Sequence, residues 1–346
     1  MEIFDSLTLA GVIRVAPQLS SYWSQFYPNE ITFDTDEIFF DQVFIDKKLA
    51  PFVAPNVQGR VISTRGYNTK TFKPAYLKPK DFINPARAFK RRAGEQPVHG
   101  GMTLNERFDA AVADSQMEQV QRINNRLEWM CAMATIYGYV DVSGESYPTQ
   151  RVDFGRDASL TAQLTGGAAW DQTTADPLAV IQSMRDLAWK KSNTTITRVT
   201  FGLDAWTLFA KNPEVRELLN KFYAGSTTEY NRTGMSDGQP VQYQGVIGGQ
   251  NGMGALELYS YNDLYHDDTG AEQLILNPLD IVGTGPGLQG TQCFGAIIDA
   301  EAGFVPARMW PKMWLEKDPS AAVLLTQSAP LMVPAQPNAS FRVTVK

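Results

Sequence analysis

Histidine is the side chain that most often moves protons in enzymes, and this chain of 346 residues has two, His99 and His266. His99 lies in a linker flanked by Pro97 and by glycines, which favours a solvent-facing role over catalysis. His266 precedes Asp267 and Asp268, a pattern that could belong to a cation or hydrolase site. The cluster lacks the regular oxygen-ligand spacing of a calcium loop. We therefore interpret it as a surface turn.

The segment Gly285-Pro286-Gly287-Leu288-Gln289-Gly290 matches the glycine fingerprint of dinucleotide sites. That fingerprint works only where a helix begins directly after it, so that backbone N–H groups face the pyrophosphate. Residues 291–298 look like a strand instead, and Pro286 removes a backbone donor. A second glycine cluster, residues 248–254, is typical of a flexible loop. The sequence thus predicts no catalytic, cofactor-binding or metal-binding residues, and we expect a protein that is not an enzyme.

The two cysteines, Cys131 and Cys293, are too few for a disulfide framework and indicate a reducing compartment. Cys131 falls on the apolar face of a predicted helix, where a buried thiol is the default, and zinc would need ligand clusters that the sequence lacks. The first residues do not resemble a secretory signal, and no apolar run is long enough to span a membrane. The expected setting is the cytoplasm.

Charge is unevenly distributed along the chain, whose formal net charge is -6. Residues 15–46 contain six acidic residues and no Lys or Arg, whereas residues 47–92 contain twelve basic residues and one acidic residue, a net charge of +11. All residues outside 47–92, including the acidic block, therefore carry -17 together. These blocks form either an ordinary solvated surface or a basic segment that docks on the acidic surface of a neighbouring copy, where complementary charge sets register.

Two N-terminal segments lack the residues for a core of their own. Residues 2–46 mix aromatic and acidic side chains with little periodicity, which indicates an arm whose aromatic residues pack on something else; residues 37–44 could be strand or helix. Residues 57–77 predict a long β-hairpin with a turn at Gly66-Tyr67-Asn68. Pro74 indicates that this hairpin lies at the edge of a sheet and not in its middle. Because a two-stranded hairpin is marginal alone in water, it needs a partner surface.

Residues 103–138 predict one long helix. Thr103 and Glu106 fit a capping box, apolar residues recur at spacings of three and four, and Gly138 provides a C-cap. At 1.5 Å per residue, about 35 residues span roughly 52 Å, far more than an average helix. We interpret this helix as a structural spine.

The remainder predicts an α+β order, because strands do not alternate regularly with helices. A helix is expected from Asp176-Pro177 to Lys191, with Ile181, Met184 and Ala188 on its buried face. Asp204 is expected to cap a short helix, and Asn212-Pro213 to begin another that runs to Tyr223. Strands are expected at residues 139–142, 150–154, 197–201, 256–261, 274–276, 281–283, 293–298, 307–315, 321–327 and 340–345.

This order of parts resembles the major capsid proteins of lambda-like tailed phages, which have the HK97-type capsid fold. The resemblance rests on residues 60–66 and 72–80, continued by Asn84-Pro85 and Arg91-Arg92; on residues 202–209; and on Gln327-Ser328-Ala329-Pro330-Leu331-Met332 near the end. These matches cover nearly the whole chain, and residues 225–273 match least. None is a catalytic motif.

The resemblance implies five parts: an N-terminal arm (residues 1–46), an extended loop with its linker (47–102), a peripheral domain (103–156) with the spine helix at 103–138, an axial domain (157–300), and a C-terminal return through the peripheral domain (301–346). It also implies pentamers and hexamers of an icosahedral head around double-stranded DNA, bound without sequence specificity. A scaffolding protein, a portal at one vertex and possible decoration proteins near the loop are the implied partners. The N-terminus starts directly in the arm, so we expect no built-in scaffolding domain.

Two alternatives stay open from the sequence. One is an encapsulin-type compartment shell, which shares the fold and packages cargo enzymes. The other is a nucleotide-binding enzyme built on residues 285–290. The first would be accompanied by a gene for a cargo enzyme, and the second would form small oligomers that bind nucleotide.

Overall fold

The computed structural model describes residues 22–35, 37–43, 67–90, 103–144, 147–216, 240–248, 254–267, 270–303, 305–318 and 320–346. The helices are α1 (Leu104–Tyr137), α2 (Pro177–Ser192) and α3 (Leu203–Lys211). The strands are β1 (Asn29–Thr32), β2 (Ile38–Val43), β3 (Tyr67–Phe72), β4 (Lys80–Ile83), β5 (Tyr139–Gly144), β6 (Tyr147–Asp153), β7 (Thr161–Gln163), β8 (Arg198–Phe201), β9 (Val241–Ile247), β10 (Leu256–Tyr261), β11 (Leu264–His266), β12 (Glu272–Leu274), β13 (Asp280–Thr284), β14 (Thr291–Phe294), β15 (Trp310–Lys317), β16 (Ser320–Gln327), β17 (Pro330–Val333) and β18 (Ser340–Thr344).

Helix α1, the spine helix, forms where the sequence predicts it. Thr103 Oγ1 accepts a hydrogen bond from Glu106 N, and Glu106 Oε2 accepts one from Thr103 N, so the capping box is complete. At the other end Gly138 adopts the left-handed conformation (φ 75°) and donates its N–H to Ala134 O. Cys131 is buried on the inner face, as predicted. The 34 residues extend about 51 Å.

The largest sheet has six strands in the order β7-β18-β13-β8-β10-β9, and helices α2 and α3 pack on it. Its core is aromatic, with the Phe201 and Phe209 rings 4.8 Å apart. Helix α2 begins as predicted, since Asp176 Oδ1 accepts from Ala179 N at 2.9 Å, and Ile181, Met184 and Ala188 are buried. We refer to this unit as the axial sheet.

The short helix α3 corrects one prediction. Asp204 does not cap it; the cap position is Gly202, and no side chain makes a cap hydrogen bond. A Cβ at Gly202 would stand 2.4 Å from Asn277 O, so the close passage of the chain selects glycine there. Asn212 does act as a cap, because its Oδ1 accepts from Glu214 N and Val215 N. The predicted end of that helix at Tyr223 lies outside the described residues.

Two three-stranded sheets flank the spine helix. The sheet β15-β16-β4 covers the first half of α1 and encloses a small core of Ile83, Phe108, Val112, Met313, Ala322 and Leu324. The sheet β1-β14-β17 covers the second half through Phe294 and Leu331. Within the C-terminal segment 301–346, β15 and β16 lie beside the spine helix, whereas β18 lies inside the axial sheet.

Several strands of the C-terminal half lie where the sequence predicts them. Leu256–Tyr261 is a strand as predicted, and β13, β16 and β18 match within two residues at either end. The expected strand at 274–276 is wrong beyond Leu274, because Ile275 N bonds to Asp263 O as the β11–β12 hairpin closes. The strand expected at 293–298 spans Thr291–Phe294 instead, after which Ala296 forms an isolated bridge with Pro306.

The predicted β-hairpin of residues 57–77 also needs correction. Tyr67 and Asn68 were expected in its turn, but they lie in β3, which pairs antiparallel with β2 from Tyr67↔Val43 to Phe72↔Ile38. The first predicted strand, residues 57–65, lies outside the described residues. Turn chemistry at Gly66 is a local signal, and it could not reveal pairing with a strand about thirty residues earlier.

Candidate assembly surfaces

The first described part of the arm, residues 22–27, is bound to the spine helix, and we call it the arm anchor. Both carboxylate oxygens of Glu128 accept backbone N–H groups from it: Trp23 N at 2.6 Å and Ser24 N at 2.9 Å. The Trp23 ring is fully buried, with its centroid 5.4 Å from that of Tyr261 on β10. The expectation that the arm aromatics pack on another surface is confirmed for this segment.

The arm anchor also joins the spine helix to the axial sheet. Tyr22 Oη lies 2.6 Å from Thr200 Oγ1 on β8, and Tyr27 Oη lies 3.1 Å from Thr135 Oγ1 on the spine helix. Burial raises the pKa of both phenols above the ordinary value, so both stay neutral. The anchor is thus held at two separate elements, and the path of the arm is fixed relative to both.

The glycine segment 285–290 serves as the seat of the arm anchor. A Cβ at Gly290 would stand 2.1 Å from Cδ1 of the Tyr27 ring, and one at Gly285 would stand 2.5 Å from Thr195 O. Gly290 N also donates to Phe26 O at 2.8 Å. The segment is followed by strand β14, as predicted, so no helix N-terminus faces a pyrophosphate here. Close packing accounts for these glycines.

A second link joins the C-terminal end of the spine helix to the axial sheet. The Arg342 guanidinium on β18 bonds the buried Asp280 carboxylate at 2.7 Å and stacks over the Tyr137 ring at 4.6 Å. Arg156 donates to Thr135 O at 3.1 Å and to Thr161 Oγ1 at 2.8 Å. Burial lowers the pKa of Arg156 to about 10, and it keeps its charge at neutral pH.

The residues singled out for possible chemistry do not come together. His266 ends β11, and Asp267 Oδ1 accepts from Ala271 N at 3.0 Å, which confirms a surface turn there. Cys131 and Cys293 are both buried and free, and His99 lies outside the described residues. Within the described ranges no cluster of three His, Cys, Asp or Glu residues could hold a metal ion. No helix in the described part of the chain is long and apolar enough to cross a membrane.

The β2–β3 pair is a candidate assembly surface, and β3 begins the described part of the basic block of residues 47–92. Within the described residues it has no third strand, so its edges keep backbone donors and acceptors available for pairing. The basic stretch continues from β3 along residues 73–80. There the Lys78 ammonium stacks over Tyr76 at 4.7 Å, and Lys80 stacks over Phe82 at 4.7 Å. Phe82 is 59% exposed, so this stretch presents cations and an aromatic ring to solvent.

A groove of about 1280 Å³ runs between residues 73–79 and the C-terminal half of the spine helix, and we call it the spine groove. Half-buried aromatic side chains line it together with cations and two carboxylates; they include Tyr76, Trp129, Tyr139, Lys78, Arg122, Arg126, Asp141 and Asp267. Trp129 Nε1 is buried and has no hydrogen-bond partner. The arrangement can bind an extended, negatively charged segment, and it contains no set of groups for covalent chemistry.

The sequence profile described as Phage major capsid protein E matches residues 5–345, almost the entire chain. The chain belongs to this family. It is accordingly a major capsid protein, a structural component of the phage virion. The family match supports the virion shell over the encapsulin-type alternative and over a nucleotide-binding enzyme.

Curated relatives match over their full or nearly full length. The major capsid protein of Enterobacteria phage P21 is 29% identical over 356 residues, which covers 100% of both chains. The major capsid protein of Escherichia phage lambda is 26% identical over 328 residues, with 90% of each chain covered.

Solved structures agree on the fold. A crystal structure of a prophage capsid protein from E. coli CFT073 superposes with a TM-score of 0.75, at 23% identity and with both chains fully covered. A phage-related protein from Bordetella bronchiseptica RB50 superposes with a TM-score of 0.50, at 9% identity, covering 100% of this chain and 98% of the other. The predicted α+β, HK97-like capsid fold is confirmed.

Proposed function

We propose that this major capsid protein assembles into pentamers and hexamers of an icosahedral head that encloses double-stranded DNA. The observation that carries the proposal is the β2–β3 pair, whose edges are free within the described residues, together with the basic stretch of residues 73–80 that follows it in a chain that is otherwise acidic. Such an element gains a partner surface when it lies on a neighbouring copy. When every copy makes the same contact with the next one, the subunits form a closed ring. The acidic remainder of the chain suits an inner wall to which DNA does not adhere.

The proposed division of labour follows the five predicted parts, with one adjustment. Residues 1–46 act as the arm, 47–102 as the extended loop and linker, 103–156 as the peripheral domain and 157–300 as the axial domain. Residues 301–346 serve both domains, because β15 and β16 flank the spine helix while β18 lies in the axial sheet. The arm anchor supports this division, since it holds the arm where the spine helix meets the axial sheet.

The proposed partners are other components of a phage head. A scaffolding protein would guide assembly in the host cytoplasm, a portal would occupy one vertex, and a decoration protein could bind near the extended loop. The chain itself acts as a building unit without catalysis. Charge complementarity and free strand edges support contacts of this kind, because both direct where copies meet.

Neutralising the basic loop tests the proposal. Arg60→Gln, Arg65→Gln, Lys70→Gln and Lys73→Gln in one chain should weaken shell formation more than subunit folding, because the charges act between copies. Shell yield by sedimentation and thermal unfolding of the subunit are measured side by side at low and high salt. Unchanged yield with unchanged salt sensitivity would refute the charge mechanism.

A further inference from the structure

The spine groove is too large for a typical small ligand. Its volume of 1280 Å³ exceeds the roughly 300–1,000 Å³ of small-molecule pockets. It is also long and open along the helix, because its lining runs from Arg122 to Tyr137 on one side and from Lys73 to Pro79 on the other. A stretch of polypeptide fits this shape.

The chemistry of the spine groove selects an acidic segment. Arg126 stacks over the Trp129 ring at 5.2 Å, and Lys78 stacks over the Tyr76 ring at 4.7 Å. The lining has four cations, Lys73, Lys78, Arg122 and Arg126, against the two carboxylates of Asp141 and Asp267, so its net charge is positive. Because a cation that stacks on an aromatic ring is already positioned, its side chain loses less conformational entropy when it binds a carboxylate. Arg122 stands on the rim with 71% of its side chain exposed, and its salt bridge to Glu118 is long, at 3.8 Å.

The chain itself carries an acidic segment of the required kind. The turn between β1 and β2, residues 32–37, presents the exposed side chains of Asp34 and Glu37, and Phe39 directly after it is 47% exposed. Thr35 holds the turn in place: its O accepts from Ala296 N at 3.0 Å, and its Oγ1 donates to Glu37 O at 2.6 Å. We call residues 32–37 the acidic turn. None of its described residues lines the spine groove of its own subunit.

We propose that the acidic turn of one copy docks in the spine groove of a second copy. The contact pairs Asp34 and Glu37 with Arg122 and Arg126, while the aromatic lining receives Phe39. The inference rests on the proposed shell function and makes it more specific, since it assigns both sides of one contact between copies. Because the turn and the groove are different surfaces, the contact is heterologous, which is the type that generates rings.

Charge reversal on each side, followed by their combination, tests the contact. The first variant carries Arg122→Glu and Arg126→Glu, and the second carries Asp34→Lys and Glu37→Lys. Each should slow shell assembly by about tenfold or more, because like charges then face each other. The chain with all four substitutions should recover to within about threefold of the wild type. A matched control, Lys190→Glu with Lys317→Glu, changes net charge as the first variant does but lies away from the groove.

The results separate this inference from the function on which it rests. Thermal unfolding confirms that each variant is folded before its assembly is scored. Rescue by the combined substitutions supports the contact between copies. If the groove variant fails to assemble and the combined chain fails equally, the groove serves a different partner and the inference is overturned. Normal assembly of both reversal variants also overturns it, while the shell function stands. A wild type that never assembles removes the shell function and this contact together.

Discussion

The carboxylate of Glu128 holds the backbone of Trp23, 105 residues earlier in the chain, at 2.6 Å. Its second oxygen takes the N–H of Ser24 at 2.9 Å. A buried carboxylate that accepts two backbone donors makes hydrogen bonds that are stronger than neutral ones. This contact therefore determines where the arm leaves the spine helix.

Glu128→Ala should destabilise the subunit by about 1.5–3 kcal/mol, because two backbone donors lose a charged acceptor. Urea unfolding of the variant measures the loss. The control is Glu118→Ala on the same helix, whose exposed salt bridge should contribute at most about 1 kcal/mol. Equal effects of the two substitutions would contradict the role given to Glu128.

Gly290→Ala should destabilise the subunit by about 1–3 kcal/mol, because the new methyl group overlaps the buried Tyr27 ring. Gly248→Ala is the matched control, since no atom lies within 4 Å of a Cβ at that position. Its effect should stay within about 0.5 kcal/mol. Thermal unfolding of both variants checks the prediction. A Gly290→Ala variant as stable as the wild type would contradict close packing between Gly290 and the Tyr27 ring.

The ion pair between Asp157 and Lys191, at 2.6 Å, should make stability fall in acid. The hydrogen bonds from Lys191 and from Ser159 hold the pKa of Asp157 well below its usual range. A depressed folded-state pKa contributes stability above the unfolded value of about 3.9, and that contribution is lost as pH falls through the folded value.

Asp157→Asn should therefore lower the Tm at pH 7, and the difference from wild type should shrink below about pH 4. Lys191→Gln removes the same pair from the other side, so the double variant should lose little more than either single one. A Tm difference that stays constant from pH 7 to pH 3 would rule out this linkage.

Both cysteines should be inert in the folded subunit. Burial raises the pKa of Cys131 well above the ordinary value, with a further contribution from the charge of Glu128, and burial raises that of Cys293 to about 12. Since the thiolate is the reactive form, neither should react with a thiol reagent at pH 8, whereas both should react in denaturant. Titration with a chromogenic disulfide reagent counts the reactive thiols; rapid reaction of the native protein would contradict the burial of both groups.

Features set by neighbouring residues could be predicted from the sequence. The spine helix was predicted correctly because the Thr103–Glu106 capping box, the apolar spacing and Gly138 are all local signals. Helix α2 was found for the same reason, through Asp176 and its buried face.

Contacts between distant residues could not be predicted. Glu128 has the sequence context of an ordinary solvated helix acid, and only the fold brings the arm anchor to it. The glycines at 285–290 matched a dinucleotide fingerprint, and the sequence did not reveal their packing role because the Tyr27 ring that Gly290 accommodates is more than 250 residues earlier. The pairing of β2 with β3 was missed because the turn signal at Gly66 suggested a closer partner.

Electron microscopy of the full chain after expression, alone and with its candidate scaffolding protein, tests the central claim most directly. The account predicts closed shells built from rings of five and six subunits. Persistent monomers under both conditions, together with saturable nucleotide binding, would contradict it.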